Sequence, residues 1–228
     1  MSRLGFPRLH LREIGSTSDR ARELAAAGAA HGTLVTTDHQ VAGRGRQGRT
    51  WTSPPRRALT MSLVLREFPP VLPLLAGVAV AEAVGPAARL KWPNDVLVER
   101  RKVAGILAEG RPSDGWAVLG IGVNVALRED DLPPGLRDRA GTLGLAEEDV
   151  ETVLAAILAG LERRLTQPQH TVLEAWMARD ALAGRQITWT GGAGVAEGVD
   201  AEGRLLVRLQ GGGRIALDAG EVHLGGGV

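Results

Sequence analysis

The apolar positions follow two periods along the chain, and each period predicts one kind of secondary structure. After the cap candidates at residues 16–19, apolar residues recur at helical spacing up to residue 29, which predicts a helix over 17–29. The same spacing predicts helices over 71–84, 150–165 and 170–182. Alternating or β-branched runs predict strands instead. These strands are 34–37, 59–65, 89–92, 95–98, 103–109, 116–125, 186–190, 194–199, 204–209 and 214–217.

The order of these elements predicts the fold class. Between residues 89 and 125 four strands follow one another with only short turns between them, which predicts an α+β fold with a mixed, largely antiparallel sheet and helices packed on it. After Gly184 the chain changes to short β-type runs separated by glycine-rich turns. This change predicts a small C-terminal β-barrel, and it divides the chain into residues 1–183 and 184–228.

Composition narrows the chemistry. The chain has 228 residues and no cysteine, which excludes a disulfide framework, a cysteine-based zinc site and a cysteine nucleophile, and favours a reducing compartment such as the cytoplasm. No stretch resembles a signal peptide or a membrane span. The five histidines are scattered, so no protein-bound metal site is predicted. A net charge of +1 predicts no general attraction to nucleic acid.

Lysine is rare among the cationic residues. Of 27 Lys and Arg residues only Lys91 and Lys102 are lysines. Arginine therefore serves wherever a general positive charge suffices. Lysine differs from it chemically, because its ammonium group is a compact point charge on a flexible stem and not a planar fork. This scarcity makes both lysines functional candidates, and for Lys91 composition bias is the alternative explanation.

The segment 43–49 is rich in glycine and arginine and satisfies G-x-G-x-x-G. A phosphate-binding loop of the Rossmann or Walker type leads at once into a helix, whereas here Trp51 and Pro54-Pro55 follow. We therefore predict a flexible loop whose amides and guanidinium groups surround a phosphate or acyl phosphate. The alternative is a surface loop that binds RNA nonspecifically. Trp51 could stack on a purine or lie in the core.

Three later segments carry polar or small residues within predicted strands and turns. Lys91-Trp92-Pro93-Asn94-Asp95 leaves a strand into a turn, and Lys102 begins a strand that contains Gly105. Gly120 and Gly122 lie in the next strand, where Asn124 interrupts an apolar run and needs a partner or a ligand. The glycines predict a flat slot for a ligand, and β-bulges or tight strand packing are the alternative.

The chain carries an ordered set of motifs: Ser16-Thr17-Ser18, Gln40, Gly43–Arg49 followed by Trp51, Lys91–Asp95, Arg101–Ile106 and Gly120–Val125. This set resembles the motifs of the biotin protein ligase family, which read roughly S-T-N, Q-x-A-G-R-G-R-x-G-R-x-W, K-W-P-N-D, K-x-A-G-I-L and G-x-G-x-N. The resemblance extends to a C-terminal stretch ending Ala219-Gly220-Glu221-Val222. It implies a catalytic domain like that of class II synthetases and a small SH3-like barrel. Ser18 stands where the family commonly has Asn, and Gln47 replaces a frequent Arg.

The resemblance also implies the reaction and its residues. Biotin and ATP with Mg²⁺ form biotinyl-5′-adenylate, and a lysine of a biotin carboxyl carrier protein then takes the biotinyl group. The implied catalytic residues are Lys102, Arg46 and Asp95. Lys102 would stabilise the charge that develops between the biotin carboxylate and the α-phosphate. Mg²⁺ would arrive with ATP and lie near Asp95. The implied biotin site is Ser16, Thr17, Ser18, Gln40, Gly43, Arg44, Gly45, Arg46, Lys102, Gly105 and Gly122. The implied ATP and adenylate site is Arg46, Arg49, Trp51, Asn94, Lys102 and Asn124.

Two other functions share some of these features. A lipoate protein ligase shares the fold and the adenylate chemistry, but the complete arginine loop together with K-W-P-N-D favours biotin. A nucleic-acid-binding module needs exposed aromatics beside the basic stretch, and only 3% of the residues are aromatic, none of them tyrosine. Only about a dozen residues precede the first motif, so we expect no DNA-binding winged helix and no DNA partner. The resemblance makes a homodimer plausible beside a monomer.

Overall fold

The computed structural model describes residues 3–111, 114–218, 220 and 222–224, which form two sheets, a short hairpin and four α-helices. Ala219 and Glu221 of the predicted C-terminal motif lie outside the described residues. The helices are α1 (Thr17–Ala26), α2 (Leu72–Val84), α3 (Val150–Leu165) and α4 (Gln169–Met177). The strands are β1 (Arg8–Ile14), β2 (Leu34–Gln40), β3 (Gly43–Arg44), β4 (Thr50–Trp51), β5 (Ala58–Leu65), β6 (Arg89–Lys91), β7 (Asp95–Val98), β8 (Arg101–Arg111), β9 (Trp116–Asn124), β10 (Gln186–Trp189), β11 (Gly192–Val199), β12 (Leu205–Leu209), β13 (Arg214–Leu217) and β14 (Val222–Leu224).

The main sheet has seven strands in the order β1-β2-β5-β9-β8-β7-β6. Only β1 and β2 pair in parallel, and every other pair in this sheet is antiparallel. The predicted α+β class with a mixed, largely antiparallel sheet is therefore confirmed. Strand β1 was not predicted, because its charged residues at an exposed sheet edge hide the apolar alternation.

Helices cover both faces of the main sheet. On one face α1 buries Ala21 and Ala25 against Val35, Val64 and Val118. On the other face α2 packs against the sheet and against α3 and α4. Neighbouring strand residues alternate between these faces, which is why β5 is buried along its whole length. Helix α2 is apolar on nearly all sides because it lies between the sheet and two helices.

The C-terminal strands form a five-stranded antiparallel sheet in the order β13-β12-β11-β10-β14. This confirms a small C-terminal β unit, but the described strands do not close into a barrel, since β13 and β14 each have one strand neighbour. Its apolar residues, Ile187 and Leu205 among them, belong to the same core as α2.

The last helix is shorter than its sequence pattern predicts. Helix α4 ends at Met177, and the chain from Arg179 to Ala181 pairs with Leu90 of the sheet edge, the Leu90 amide donating to the Arg179 carbonyl at 2.8 Å. The apolar residues beyond 177 thus belong to this extended return and not to a helix. No helix in the described part of the chain has both the length and the apolar character needed to span a bilayer.

Candidate active site

A cleft of about 910 Å³ opens on the α1 face of the main sheet. Its floor is made by small and polar residues of β5, β8 and β9, where the same face beneath α1 carries valines. The predicted site residues that line it are Thr17, Ser18, Gln40, Arg44, Gly45, Arg46, Arg49, Trp51, Asn94, Asp95, Lys102, Gly105 and Gly122. The structure thus brings together predicted residues that are distant in sequence, from Thr17 to Gly122.

A buried hydroxyl and amide network forms one end of the cleft. The Ser62 hydroxyl donates to Thr17 Oγ1 at 2.9 Å, and the Thr17 hydroxyl and amide both donate to Gln40 Oε1, at 3.0 and 2.7 Å. Ser18 Oγ lies 3.1 Å from Ser62 Oγ. Because these polar groups are buried and mutually bonded, they present fixed donors and acceptors to a ligand. Ser62 was missed from sequence, because a lone serine in an apolar strand gave no motif.

The glycine at position 120 is required by this network. A methyl group there would lie 2.7 Å from Ser18 Oγ and 3.6 Å from Ser62 Oγ. Gly120 therefore leaves room for the hydroxyls, and it lines the cleft although only its neighbours in the motif were assigned to the site.

The arginine-rich segment is a hairpin and not the irregular loop predicted from sequence. Strands β3 and β4 pair only with each other, and residues 46–48 form a single 3₁₀ turn between them. Gln47 and Gly48 have positive φ, 56° and 74°, which reverses the chain. Gly43 is needed for the pairing, since a Cβ there would lie 2.3 Å from the Trp51 carbonyl oxygen.

Trp51 at the end of this hairpin lies on the glycines of the sheet. A Cβ on Gly122 would be 2.5 Å from Trp51 Cε2, and one on Gly105 would be 3.3 Å from Trp51 Cζ3. The glycines thus leave space on the sheet, and in the structure the indole ring of Trp51 lies in that space. The indole Nε1 is buried without a hydrogen-bond partner. Lys102 Nζ stands 5.9 Å from the ring centroid, within the range of a cation–π interaction.

The scarce lysines both line the cleft. Lys102 Nζ lies 2.5 Å from Asp95 Oδ1 across the β7–β8 pair. Beside it, Asn94 donates from Nδ2 to the Ile106 carbonyl at 2.8 Å and accepts from Arg46 Nη1 at 3.3 Å. The turn 91–95 thus fixes the lysine-bearing strand on one side and the arginine hairpin on the other.

The same turn is attached to the C-terminal sheet. Trp92 is buried, and its indole donates to the Gly203 carbonyl at 3.0 Å. Gly220 and Val222 of the C-terminal unit also line the cleft. The C-terminal unit therefore contributes to the wall of the site, a contact between distant segments that no sequence pattern indicated.

Three predicted site residues lie outside the lining. Ser16 caps α1, accepting from the Asp19 amide at 3.4 Å, and Gly43 serves the hairpin. Asn124 is 6% exposed and donates from Nδ2 to the Gly141 carbonyl at 2.8 Å. Its polarity in an apolar run did indicate a partner, but in the structure that partner is a backbone carbonyl.

Charge pairs shape the rim of the cleft. Arg44 contacts two carboxylates, those of Asp19 and Glu109. The hydrogen bond to Asp19 is the main cause that raises the pKa of Arg44. Burial acts to raise the pKa of Asp19, but the hydrogen bonds from Arg44 and Arg22 outweigh it, so that pKa lies below its usual value. Among the described residues no three His, Cys, Asp or Glu side chains lie together as a metal cage.

The matches to known proteins agree with this geometry. Residues 12–125 match the model of the biotin/lipoate A/B protein ligase family. The chain is 37% identical to the bifunctional ligase/repressor BirA of Bacillus spizizenii, over 86% of the chain and 68% of that protein. It is 34% identical to the biotin–[acetyl-CoA-carboxylase] ligase of Mycobacterium tuberculosis, over 93% of the chain and 87% of that protein.

A solved structure of a biotin protein ligase has the same fold as this chain. The biotin protein ligase of Aquifex aeolicus in complex with biotin and ATP superposes with a TM-score of 0.79 at 29% identity, covering 95% of this chain and 97% of that one.

Proposed function

Because the chain belongs to the biotin/lipoate A/B protein ligase family, we propose that it is a biotin protein ligase which forms biotinyl-5′-adenylate from biotin and ATP and transfers the biotinyl group to a carrier lysine. One observation carries this proposal beyond the matches. The cleft places Lys102, Asp95 and Arg46 beside a slot floored by Gly105 and Gly122, next to a buried network that ends in Gln40. Such a site offers fixed polar groups for a small ligand and cations for a reacting phosphate.

The polar network suits the recognition of the biotin ring. Its ureido group has two N–H donors and one carbonyl acceptor, and Thr17, Ser18 and Gln40 present hydroxyl and amide groups that are already ordered. Ordering these groups in advance lowers the entropic cost of binding. The apolar part of the ligand would pack against the Trp51 ring, which itself lies on the strand glycines.

Lys102 is suited to the first chemical step. The biotin carboxylate attacks the α-phosphorus of ATP, a P–O bond forms, and pyrophosphate leaves with the electron pair of the broken bond. Negative charge gathers on the α-phosphate oxygens, where an ammonium group fixed on a strand stabilises it with little reorganisation. Arg46, held by Asn94, supplies a second cation on the opposite rim.

Asp95 fits the Mg²⁺ that accompanies ATP. Mg²⁺ in nucleotide sites is held by one or two carboxylates together with phosphates and waters and needs no complete protein cage. Asp95 offers one carboxylate at the cleft, and Asn94 adds an amide oxygen. When bound, the ion would neutralise phosphate charge.

In the second step the carrier lysine supplies the nucleophile. Its neutral ε-amine attacks the carbonyl of the mixed anhydride, an amide bond forms, and AMP leaves with the electron pair while the amine loses a proton. The relatives named for acetyl-CoA carboxylase indicate a biotin carboxyl carrier protein as the partner. We propose that residues 1–183 perform the chemistry and that residues 184–228 complete the cleft wall through the Trp92–Gly203 contact.

Two further properties belong to the proposal. The absence of cysteine from the whole sequence fits a reducing compartment, and we place the enzyme in the cytoplasm. The exposed edge strand β1 supports a homodimer formed through the sheet edge. Sedimentation velocity with and without biotin tests the second property, and a monomer under all conditions would exclude it.

The first half-reaction can be tested without a carrier. Exchange of labelled pyrophosphate into ATP should require biotin and should not occur with lipoate. Exchange driven by lipoate alone would assign the chain to the lipoate branch of the family. If folded protein catalyses no exchange with either biotin or lipoate, the chain is not an adenylating enzyme of this kind.

A further inference from the structure

Arg44 joins the arginine hairpin to two distant elements. Its Nη1 donates to Asp19 Oδ1 of α1 at 2.7 Å, and its Nη2 donates to Glu109 Oε1 of β8 at 2.7 Å. One guanidinium group thus contacts the helix that carries Thr17 and Ser18 and the strand that carries Lys102 and Gly105. The contacts use both terminal nitrogens of the planar group, so that its orientation is fixed.

The hairpin needs such attachments. Strands β3 and β4 have two residues each and pair with no strand of the main sheet, and an isolated two-stranded hairpin is marginally stable. What holds it against the cleft is therefore a small set of side-chain contacts. Among the described residues they include the packing of Trp51 on the glycines, the hydrogen bond from Arg46 to Asn94 and the two pairs of Arg44.

The pairs differ in their surroundings. The Asp19 and Arg44 side chains are 44% and 37% exposed, and such pairs alone contribute little. Glu109 is 26% exposed, and its second oxygen, Oε2, is buried without a hydrogen-bond partner. That carboxylate is partly desolvated, so its contact with Arg44 is screened less by solvent than a fully exposed pair would be.

We propose that Asp19 and Glu109 are positioning residues that act through Arg44 to hold the hairpin, residues 43–51, closed over the cleft, and that they thereby slow the escape of the bound adenylate. The second half of this proposal rests on the proposed function, whereas the first half does not. Neither carboxylate lines the cleft floor, so their effect is on the residence of the ligand and not on bond formation. No sequence pattern indicated this role, because Asp19 looks like part of a helix cap and Glu109 like the end of a strand.

Hairpin opening can be measured by limited digestion with trypsin, which cleaves after Arg46 and Arg49 when the hairpin opens. We expect the double variant Asp19→Asn with Glu109→Gln to be cleaved there about tenfold faster than the parent, since two weak pairs together amount to roughly that factor. Cleavage sites are assigned by mass spectrometry. The matched control is Glu23→Gln, which removes a carboxylate of the same helix that pairs with Arg20 at 2.7 Å, and it should leave the rate unchanged.

A double-mutant cycle tests whether Arg44 mediates the effect. In an Arg44→Gln background the two carboxylate substitutions should cause no further increase in cleavage. Asp19→Glu alone keeps the charge and should be cleaved as slowly as the parent. Equal effects with and without Arg44, or a double variant cleaved at the parent rate, would overturn the proposal.

Ligand escape supplies the second readout. In the double variant the dissociation rate of biotinyl-5′-adenylate should rise about tenfold, while kcat for adenylate formation at saturating substrates changes by less than twofold. A fall in kcat with an unchanged dissociation rate would overturn the assigned role. Because the trypsin assay needs no catalysis, faster cleavage in a chain that forms no adenylate would refute the proposed function and leave the hairpin contact established.

Discussion

Asn124→Asp is a small change with a large expected effect, because it exchanges a hydrogen-bond donor for an acceptor at a buried position. Asn124 is 6% exposed and donates from Nδ2 to the Gly141 carbonyl at 2.8 Å. The Gly141 amide in turn donates to the Lys102 carbonyl, and the Lys102 amide donates to the Arg139 carbonyl, each at 2.8 Å. The side chain of Asn124 therefore anchors the segment 139–141 that runs beside Lys102.

The magnitude follows from the lost bond. A buried polar group left without its partner costs about 1–3 kcal/mol, and for a chain of this size each kcal/mol lowers Tm by about 2–4 °C. At neutral pH we expect Asn124→Asp to unfold about 6 °C below the parent, which corresponds to about 2 kcal/mol. Asn124→Ala removes the donor without adding charge and should lose a comparable amount.

The pH dependence separates the two variants. A carboxylate facing a carbonyl oxygen prefers its protonated form, which can donate to Gly141, so the folded pKa of the new Asp lies above its unfolded value of about 3.9. Stability relative to the parent is then greatest at low pH and falls as the pH rises through the interval between the two pKa values. For a folded pKa near 6, the deficit at pH 8 exceeds that at pH 5 by roughly 1.4 kcal/mol.

Urea unfolding at pH 5 and pH 8, with the parent measured under both conditions, tests this reasoning. The deficit of Asn124→Ala should be the same at both pH values. An Asn124→Asp protein as stable as the parent at pH 8, or an alanine variant with the same pH dependence, would show that the Gly141 bond does not anchor the segment.

Three further predictions concern the lysine, the slot and the helix layer. Lys102→Arg should abolish nearly all biotin-dependent pyrophosphate exchange while circular dichroism stays unchanged, and activity near that of the parent would invalidate the argument from lysine scarcity. In Gly122→Val the new Cβ would lie 2.5 Å from the Trp51 ring, so biotin binding measured by calorimetry should weaken at least about tenfold. Gly135→Val, whose new Cβ would have nothing within 4 Å, should not change it. At Glu82 burial opposes ionisation, but hydrogen bonds from two arginines of α3 outweigh it and lower the pKa of the carboxyl group. The contribution of Glu82 to stability is therefore present above the unfolded pKa of about 4.3 and is lost as the pH falls through the folded pKa. Glu82→Gln should therefore cost about 1 kcal/mol at pH 7 in thermal unfolding, and this deficit should shrink as the pH falls below about 4.3. A deficit that does not change with pH would contradict this.

Local sequence patterns predicted the elements whose environment is uniform. Helix α2 could be predicted because it is apolar on nearly all sides, and β5 and β9 because both of their faces are buried. Strand β1 was missed because an edge strand is half exposed and carries charged residues. Helix α4 was predicted too long because the apolar residues up to 182 serve a tertiary pairing with Leu90. Periodicity cannot distinguish a buried helix from a buried extended segment.

In the site, too, some features could be predicted from the sequence and others could not. Glycines on adjacent strands predicted the slot, and the scarcity of lysine pointed to Lys102, because each reflects a requirement on one residue type. The partners of Arg44 and Asn124 could not be predicted, since a side chain that suits a ligand equally suits a carboxylate or a carbonyl brought near by the fold. Only the tertiary structure decides between these partners.

Transfer of biotin to a carrier is the central claim, and intact-mass spectrometry of the carrier tests it most directly. A biotin carboxyl carrier domain is incubated with this protein, ATP and Mg²⁺, with biotin in one tube and lipoate in another. We predict the mass gain of one biotinyl group, dependent on ATP and absent with lipoate. A gain only with lipoate, or no gain with folded enzyme and a carrier that another biotin ligase modifies, would contradict the assignment.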